Sequence, residues 1–177
     1  MTVTFASEFR ETDVIGYVLS CCPECKSEPY ATYGEATAAR AALPGFEQHT
    51  AALPGCPTAG TWGANGIVFI DPVLAEEGPS INMANTNARF MLDRLGLVTE
   101  SGELCGETTA ADLRGRILLA DALAGGDAGL PDIETIGPGG AVVVECGRAP
   151  GYLDARLGEL AELVDWCAER DRLICWG

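Results

Sequence analysis

Two runs of β-branched and aromatic residues open the chain, TVTFASEF at residues 2–9 and VIGYVLSC at residues 14–21, with a polar stretch between them. That pattern predicts two strands joined as a hairpin, which delivers the chain to the pentapeptide CCPEC at residues 21–25. GEATAARAAL (residues 34–43) is rich in alanine and predicts a short helix, stopped by Pro44-Gly45. AALPG occurs at residues 41–45 and again at 51–55, a period of ten residues. That is too short for a solenoid unit, and the expectation is one helix-stop chemistry used twice. In WGANGIVFID (residues 62–71), the Asn65-Gly66 turn signal leads into an apolar strand that closes or extends the N-terminal sheet. From Pro72 to Pro79 acid and proline replace strand character, which places a boundary there. A β-rich part over residues 1–75 would be followed by a second part over residues 80–177, the two forming separate domains or one compact one.

The second part shows helical periodicity. In INMANTNARFMLDRLGL (residues 81–97), Ala84, Ala88, Met91, Leu92 and Leu95 fall on one stripe that ends at Gly96, with Asn82 as N-cap. In the next segment Thr109 and Asp112 resemble a capping box, and Leu113, Ile117, Ala120 and Ala124 line a face until Gly125-Gly126. Residues 127–140, rich in Gly, Pro and Asp, predict a surface loop. AVVVECGR then reads as a buried strand, Pro150 as the first turn of a helix reaching about Arg170, and RLICWG as a closing strand. Strand, long helix and strand fit a parallel βαβ unit, or antiparallel pairing through other strands. The expected fold class is α+β: a β-rich N-terminal zinc-knuckle part packed on a mainly helical C-terminal half that ends in a strand–helix–strand unit.

Charge narrows the partners. The chain carries 11 basic and 26 acidic residues, a net charge of −15, which repels phosphate backbones and anionic lipid surfaces. Direct nucleic-acid or membrane binding is not expected. Lys26 is the only lysine, and the arginines form no basic run. The longest apolar runs, such as residues 67–70 and 141–144, fall far short of the about 18 residues a membrane helix needs. MTVTFASEFRETD lacks the charged-then-apolar pattern of a secretory signal, so a cytoplasmic location is expected.

In a reducing compartment, clustered cysteines bind metal more often than they form disulfides. Eight cysteines are present, at positions 21, 22, 25, 56, 105, 146, 167 and 175. Cys22-Pro23-Glu24-Cys25 has the spacing of a zinc knuckle, in which a tight turn at a strand end presents two thiolates to one tetrahedral ion. Two more ligands are needed, and the nearest candidates are His49, the only histidine, and Cys56. The resulting set, Cys22, Cys25, His49 and Cys56, has the layout of a small zinc-ribbon site with structural Zn2+. Cys21 can replace one of these ligands, a thiolate completing the set in place of the imidazole. One alternative is that these cysteines serve only as small core or turn residues; another, redox chemistry, wants its first thiol at a helix N-terminus, and KSEPYATY follows instead. Cys105, Cys146, Cys167 and Cys175 read most simply as core residues.

A weaker constellation is the trio Asn82, Asn85 and Asn87 at a helix start, together with Arg148 ahead of another, where a small anionic or polar ligand can be received. Capping and turn chemistry account for these residues equally well. The signatures of nucleophile-elbow hydrolases, P-loop NTPases, dinucleotide-binding proteins and HExxH metalloproteases are all absent, so no catalytic residue is assigned.

The cysteine knuckle, the NxxNxNAxxxLxxLGL helix and the RxPGYL helix start together resemble a group of small proteins encoded by high-GC Gram-positive bacteria and their phages, to which no activity is assigned. The resemblance implies a phage-related context and no catalytic role. The expected function is a zinc-stabilised acidic accessory protein, non-catalytic, that binds a protein partner with a basic surface. The alternatives are a small-ligand protein or enzyme using the asparagines and Arg148, and an acidic DNA mimic or virion component.

Overall fold

The computed structural model describes residues 2–47, 50–57, 67–98, 102–123, 126–136, 142–145 and 147–177. Helices and antiparallel strands alternate through them, an α+β protein, and the chain divides into two compact units.

The larger unit comprises Met1–Glu8 and Gly78–Gly177. Its sheet has the strand order β5-β1-β9-β6, built from β1 (Thr2–Ser7), β5 (Ser80–Ala84), β6 (Gly106–Thr109) and β9 (Leu173–Trp176), with every neighbour antiparallel. Alternation decides its faces. Val3 and Phe5 of β1, Ile81 and Met83 of β5, and Ile174 and Trp176 of β9 all point to one side, where Phe5 and Trp176 stack with ring centroids 6.0 Å apart. Three helices cover that side: α2 (Asn85–Arg94), α3 (Ala110–Leu123) and α4 (Tyr152–Glu169). They contribute Ala88, Met91 and Leu92, then Leu113 and Ile117, then Leu157, Leu160, Leu163 and Val164, residues at helical spacing; Ala84, expected on the first of these stripes, is instead exposed at the end of β5. A separate hairpin pairs β7 (Ile133–Ile136) with β8 (Val142–Glu145).

The smaller unit is Phe9–Glu77. Its three-stranded antiparallel sheet has the order β3-β2-β4, from β2 (Val14–Cys22), β3 (Cys25–Lys26) and β4 (Phe69–Leu74). Helix α1 (Tyr33–Ala41) starts with a full capping box, Thr32 Oγ1 accepting from Glu35 N at 3.2 Å while the Glu35 carboxylate accepts from Thr32 N at 3.2 Å. The core of this unit is small: Leu19, Cys21, Ala36, Ala51, Leu53, Cys56 and Val68.

Several expectations are corrected. The strands at residues 2–9 and 14–21 do not form a hairpin: β1 pairs with β5 and β9, whereas β2 pairs with β3 and β4. A short 3-10 turn, Glu11–Asp13, separates the two strands, and their apolar faces serve different cores. Residues 1–8 therefore fold with the C-terminal unit, although the division between Glu77 and Gly78 falls inside the Pro72–Pro79 stretch. The helix expected from residue 81 begins at Asn85. Ser80–Ala84 is a strand because Ile81 and Met83 alternate into the core, and Asn82 lies on that strand rather than capping α2. The loop expected over residues 127–140 contains β7. Strands β8 and β9 flank α4 in different sheets, so they make no βαβ unit. The second AALPG follows no helix, yet Gly45 and Gly55 share a left-handed φ of +79°, so the repeated element is the turn alone. Asn65-Gly66, Ala124 and Cys146 lie outside the described residues. Among the described residues no helix is long and apolar enough to cross a membrane.

Candidate metal centre

The knuckle forms because β2 and β3 are joined through Pro23-Glu24, with Cys22 and Cys25 directly opposite each other across the turn. One strand position earlier the register slips. Ser20 pairs with Lys26 and Cys22 with Cys25, so β2 holds one residue more than β3 between those pairs, and the extra residue is Cys21. In a regular strand adjacent side chains leave opposite faces, and Cys21 would point away from Cys22. The bulge removes that opposition. Cys21 is buried and Cys22 half-buried, and both thiols reach the same point.

The fourth sulfur comes from the loop after α1. Ala51 and Leu53 anchor this loop in the small core, and Leu53 N donates to Cys21 Sγ at 3.5 Å. Gly55, at its left-handed φ, then turns the chain, and Cys56 N donates to Leu53 O at 3.1 Å. Cys56 Sγ lies 3.9 Å from Cys22 Sγ. The sulfurs of Cys21, Cys22, Cys25 and Cys56 all lie within 4.8 Å of one another. Four thiolates at about 2.3 Å from one zinc ion would sit about 3.8 Å apart in a regular tetrahedron. The cluster is close to that size and needs only a small contraction. It is tighter than the spread of sulfurs around a multi-iron cluster.

Electrostatics support the same use. Hydrogen bonding with Cys22, then burial, pushes the Cys25 thiol up to about 12, while burial raises the Cys21 thiol above its ordinary value. A redox or nucleophilic cysteine needs the opposite shift. Crowded thiols of this kind hold their protons until a cation arrives and stabilises the thiolates together. The four cysteines can therefore hold a metal ion.

Of the expected ligands, the structure brings Cys22, Cys25 and Cys56 together with Cys21, the thiolate expected as a replacement ligand; His49 lies outside the described residues. Nothing in the spacing of two adjacent cysteines reveals the bulge. Among the remaining cysteines, Cys167 is buried in the larger core, Cys175 half-buried and Cys105 exposed, so the expectation of a core role fails for Cys105.

The other constellation is dispersed. Asn82 is exposed on β5 and donates to Thr4 Oγ1 at 2.8 Å. Asn85 and Asn87 are half-buried in the first turn of α2, the Oδ1 of Asn85 buried without a hydrogen-bond partner. Arg148 is buried against Asp127, its Nη2 donating to Asp127 Oδ1 at 3.0 Å, and its guanidinium sits 4.7 Å from the centre of the Phe90 ring. Asp127 also accepts from Leu153 N and Gly129 N, each at 3.0 Å, and so caps α4 from a distant loop. These bonds, Arg148 first, hold its carboxyl down at about 2 against the effect of burial. The charge of Arg148 is thus already neutralised, and an anion at the start of α4 would have to displace Asp127. Helix α4 itself starts after Gly151, whose φ of +77° suits glycine, with Pro150 in the preceding turn.

No family model, curated protein or solved structure matches this chain.

Proposed function

We propose that the four cysteines hold one structural zinc ion, and that the protein is a non-catalytic, acidic accessory protein that binds a protein partner with a basic surface. The observation that carries the metal assignment is the convergence of four sulfurs, none of them a lone surface thiol, from two separate stretches of chain onto a single point. Four protein ligands close a tetrahedral site and leave no open position for substrate, the arrangement of a structural rather than a catalytic zinc. Sulfur-only tetrahedral coordination selects zinc or iron, and zinc needs no redox partner. The partner assignment rests on the net charge of −15, which favours association with a cationic surface and accelerates it.

Native mass spectrometry of the protein purified under reducing conditions tests the metal. One zinc per chain, lost with a chelator together with the fold of residues 9–77, is the expected result. A metal-free chain with that unit intact would overturn the assignment, and a coloured, iron-containing protein would replace zinc with iron.

A further inference from the structure

The cysteine cluster is approached from one side. In the β3-β2-β4 sheet Ser20 sits between Lys26 of β3 and Phe69 of β4, and these residues line a cavity of about 500 Å³. The lining includes Cys21 and Cys22 but neither Cys25 nor Cys56. Of the first two, Cys21 is buried and Cys22 half-buried, so Cys22 is the ligand that a small solute in the cavity meets. The volume exceeds the about 30 Å³ of a water molecule many times over, ample for hydrogen peroxide.

The sulfurs are not equally satisfied. Cys21 Sγ accepts from Leu53 N at 3.5 Å, whereas among the described residues the sulfur of Cys22 takes no N–H bond and faces the sulfurs of Cys25 and Cys56. Hydrogen bonds to a coordinated sulfur draw charge from it, and a sulfur without them keeps its electron density for attack. Coordination supplies the reactive form, since a thiol bound to a cation is deprotonated outright and the thiolate is the nucleophile. A second sulfur stands ready. Cys56 Sγ lies 3.9 Å from Cys22 Sγ on a loop outside every helix and strand, so closing that gap to the about 2.05 Å of a disulfide takes a loop movement and no change of register. Cys25, by contrast, is held on β3 by the pairing that sets it opposite Cys22.

We propose that Cys22 is a modification site for hydroperoxides, reached through this cavity, and that its oxidation to a disulfide with Cys56 expels the metal ion. The sulfur of Cys22 attacks one oxygen of hydrogen peroxide; the S–O bond forms, the O–O bond breaks and hydroxide leaves, giving a sulfenic acid. The sulfur of Cys56 then attacks Cys22; the S–S bond forms, the S–O bond breaks and a second hydroxide leaves. Each sulfur has lost one electron and the peroxide has gained two. Cys21 and Cys25 remain, two ligands where a closed site needs four, so the ion passes into solvent and residues 9–77 lose their tie. This rests on the zinc reading above and adds to it a sensitivity to oxidant.

The test uses the full zinc-loaded chain carrying Cys105→Ser, which removes an exposed thiol outside the cluster, with hydrogen peroxide below one equivalent and no reductant. Native mass spectrometry counts zinc before the addition, a chromogenic chelator reads its release, a sulfenic-acid trap is included in one arm, and non-reducing peptide mapping locates the disulfide. About one ion released per peroxide consumed is expected, with the trap on Cys22, Cys22–Cys56 as the first disulfide, and recovery on adding thiol reductant and zinc. Peroxide consumed with zinc retained, the trap first on another cysteine, or a first disulfide that omits Cys22 or Cys56 would overturn the proposal, and the zinc counted beforehand would leave the metal reading standing. A chain that carries no zinc before peroxide is added removes both, so the two failures are told apart.

Discussion

Removal of the metal ion from the four cysteines, by chelation under reducing conditions, is expected to unfold residues 9–77 while residues 2–8 and 78–177 keep their structure. The smaller unit has about 70 residues, a size at which a single apolar core is marginal and a metal or disulfide commonly supplements it. Its core confirms the shortage. Among the described residues it buries three large aliphatic side chains, Leu19, Leu53 and Val68, each contributing up to about 1.5–3 kcal/mol, alongside alanines and the ligands Cys21 and Cys56, with half-buried side chains such as Tyr17, Phe46 and Ile70 packed around them. A structural zinc site supplies about 10–16 kcal/mol at neutral pH. That is comparable with the about 5–15 kcal/mol that holds an entire small domain folded, so its loss exceeds what this core can compensate. Hydrogen exchange read by mass spectrometry reports the two units separately in one sample. Amides of β2 and β4 should become unprotected on chelation, whereas those of β1, β9 and α4 should not change. Slow exchange at Leu19 and Ile70 in a chain shown to be metal-free would refute the reasoning, because coordination would then contribute little to the fold.

Metal affinity should fall as pH falls, because raised thiols such as Cys21 and Cys25 must release protons to bind; competition titrations between pH 8 and pH 6 are expected to show about two to four protons released per ion. Cys21→Ser should weaken zinc binding by more than about 100-fold and His49→Ala should leave it unchanged, since four sulfurs already complete a tetrahedron; a titration giving the reverse order would restore the imidazole as a ligand. Asp127→Ala orphans Arg148 and two backbone N–H groups, and is expected to cost about 3–5 kcal/mol in denaturant unfolding. Because the Asp127 carboxyl is depressed from 3.8 to about 2, its contribution of about 2 kcal/mol is present above pH 4 and disappears as pH falls toward 2, so the acid-unfolding curve of the variant should lack that component.

Much of this protein is legible in order of locality. The stripes of α2, α3 and α4 bury the residues that a 3.6-residue period selects, because a helix places its own neighbours on one face whatever lies opposite. Cys22 and Cys25 are legible for the same reason: two residues of turn chemistry bring their sulfurs together without help from the rest of the chain. Strand partners are not. Residues 2–7 carry a clear alternation, yet nothing within them states that their neighbours are β5 and β9, since pairing depends on which apolar face completes which core.

The sequence by itself determined the acidic surface, the helices and the half of the metal site that sits in one turn, all of which follow from short-range spacing and charge. Cys56, Cys21 and His49 are all candidates in the sequence, and tertiary structure decided that Cys56 and Cys21 join the cluster. A bulge set by the pairing of β2 with β3 swings Cys21 to the side of its neighbour, and a loop anchored by Ala51 and Leu53 carries Cys56 to it from more than thirty residues away. A sulfur becomes a ligand by its position in space, and for these two that position is fixed by contacts distant along the chain.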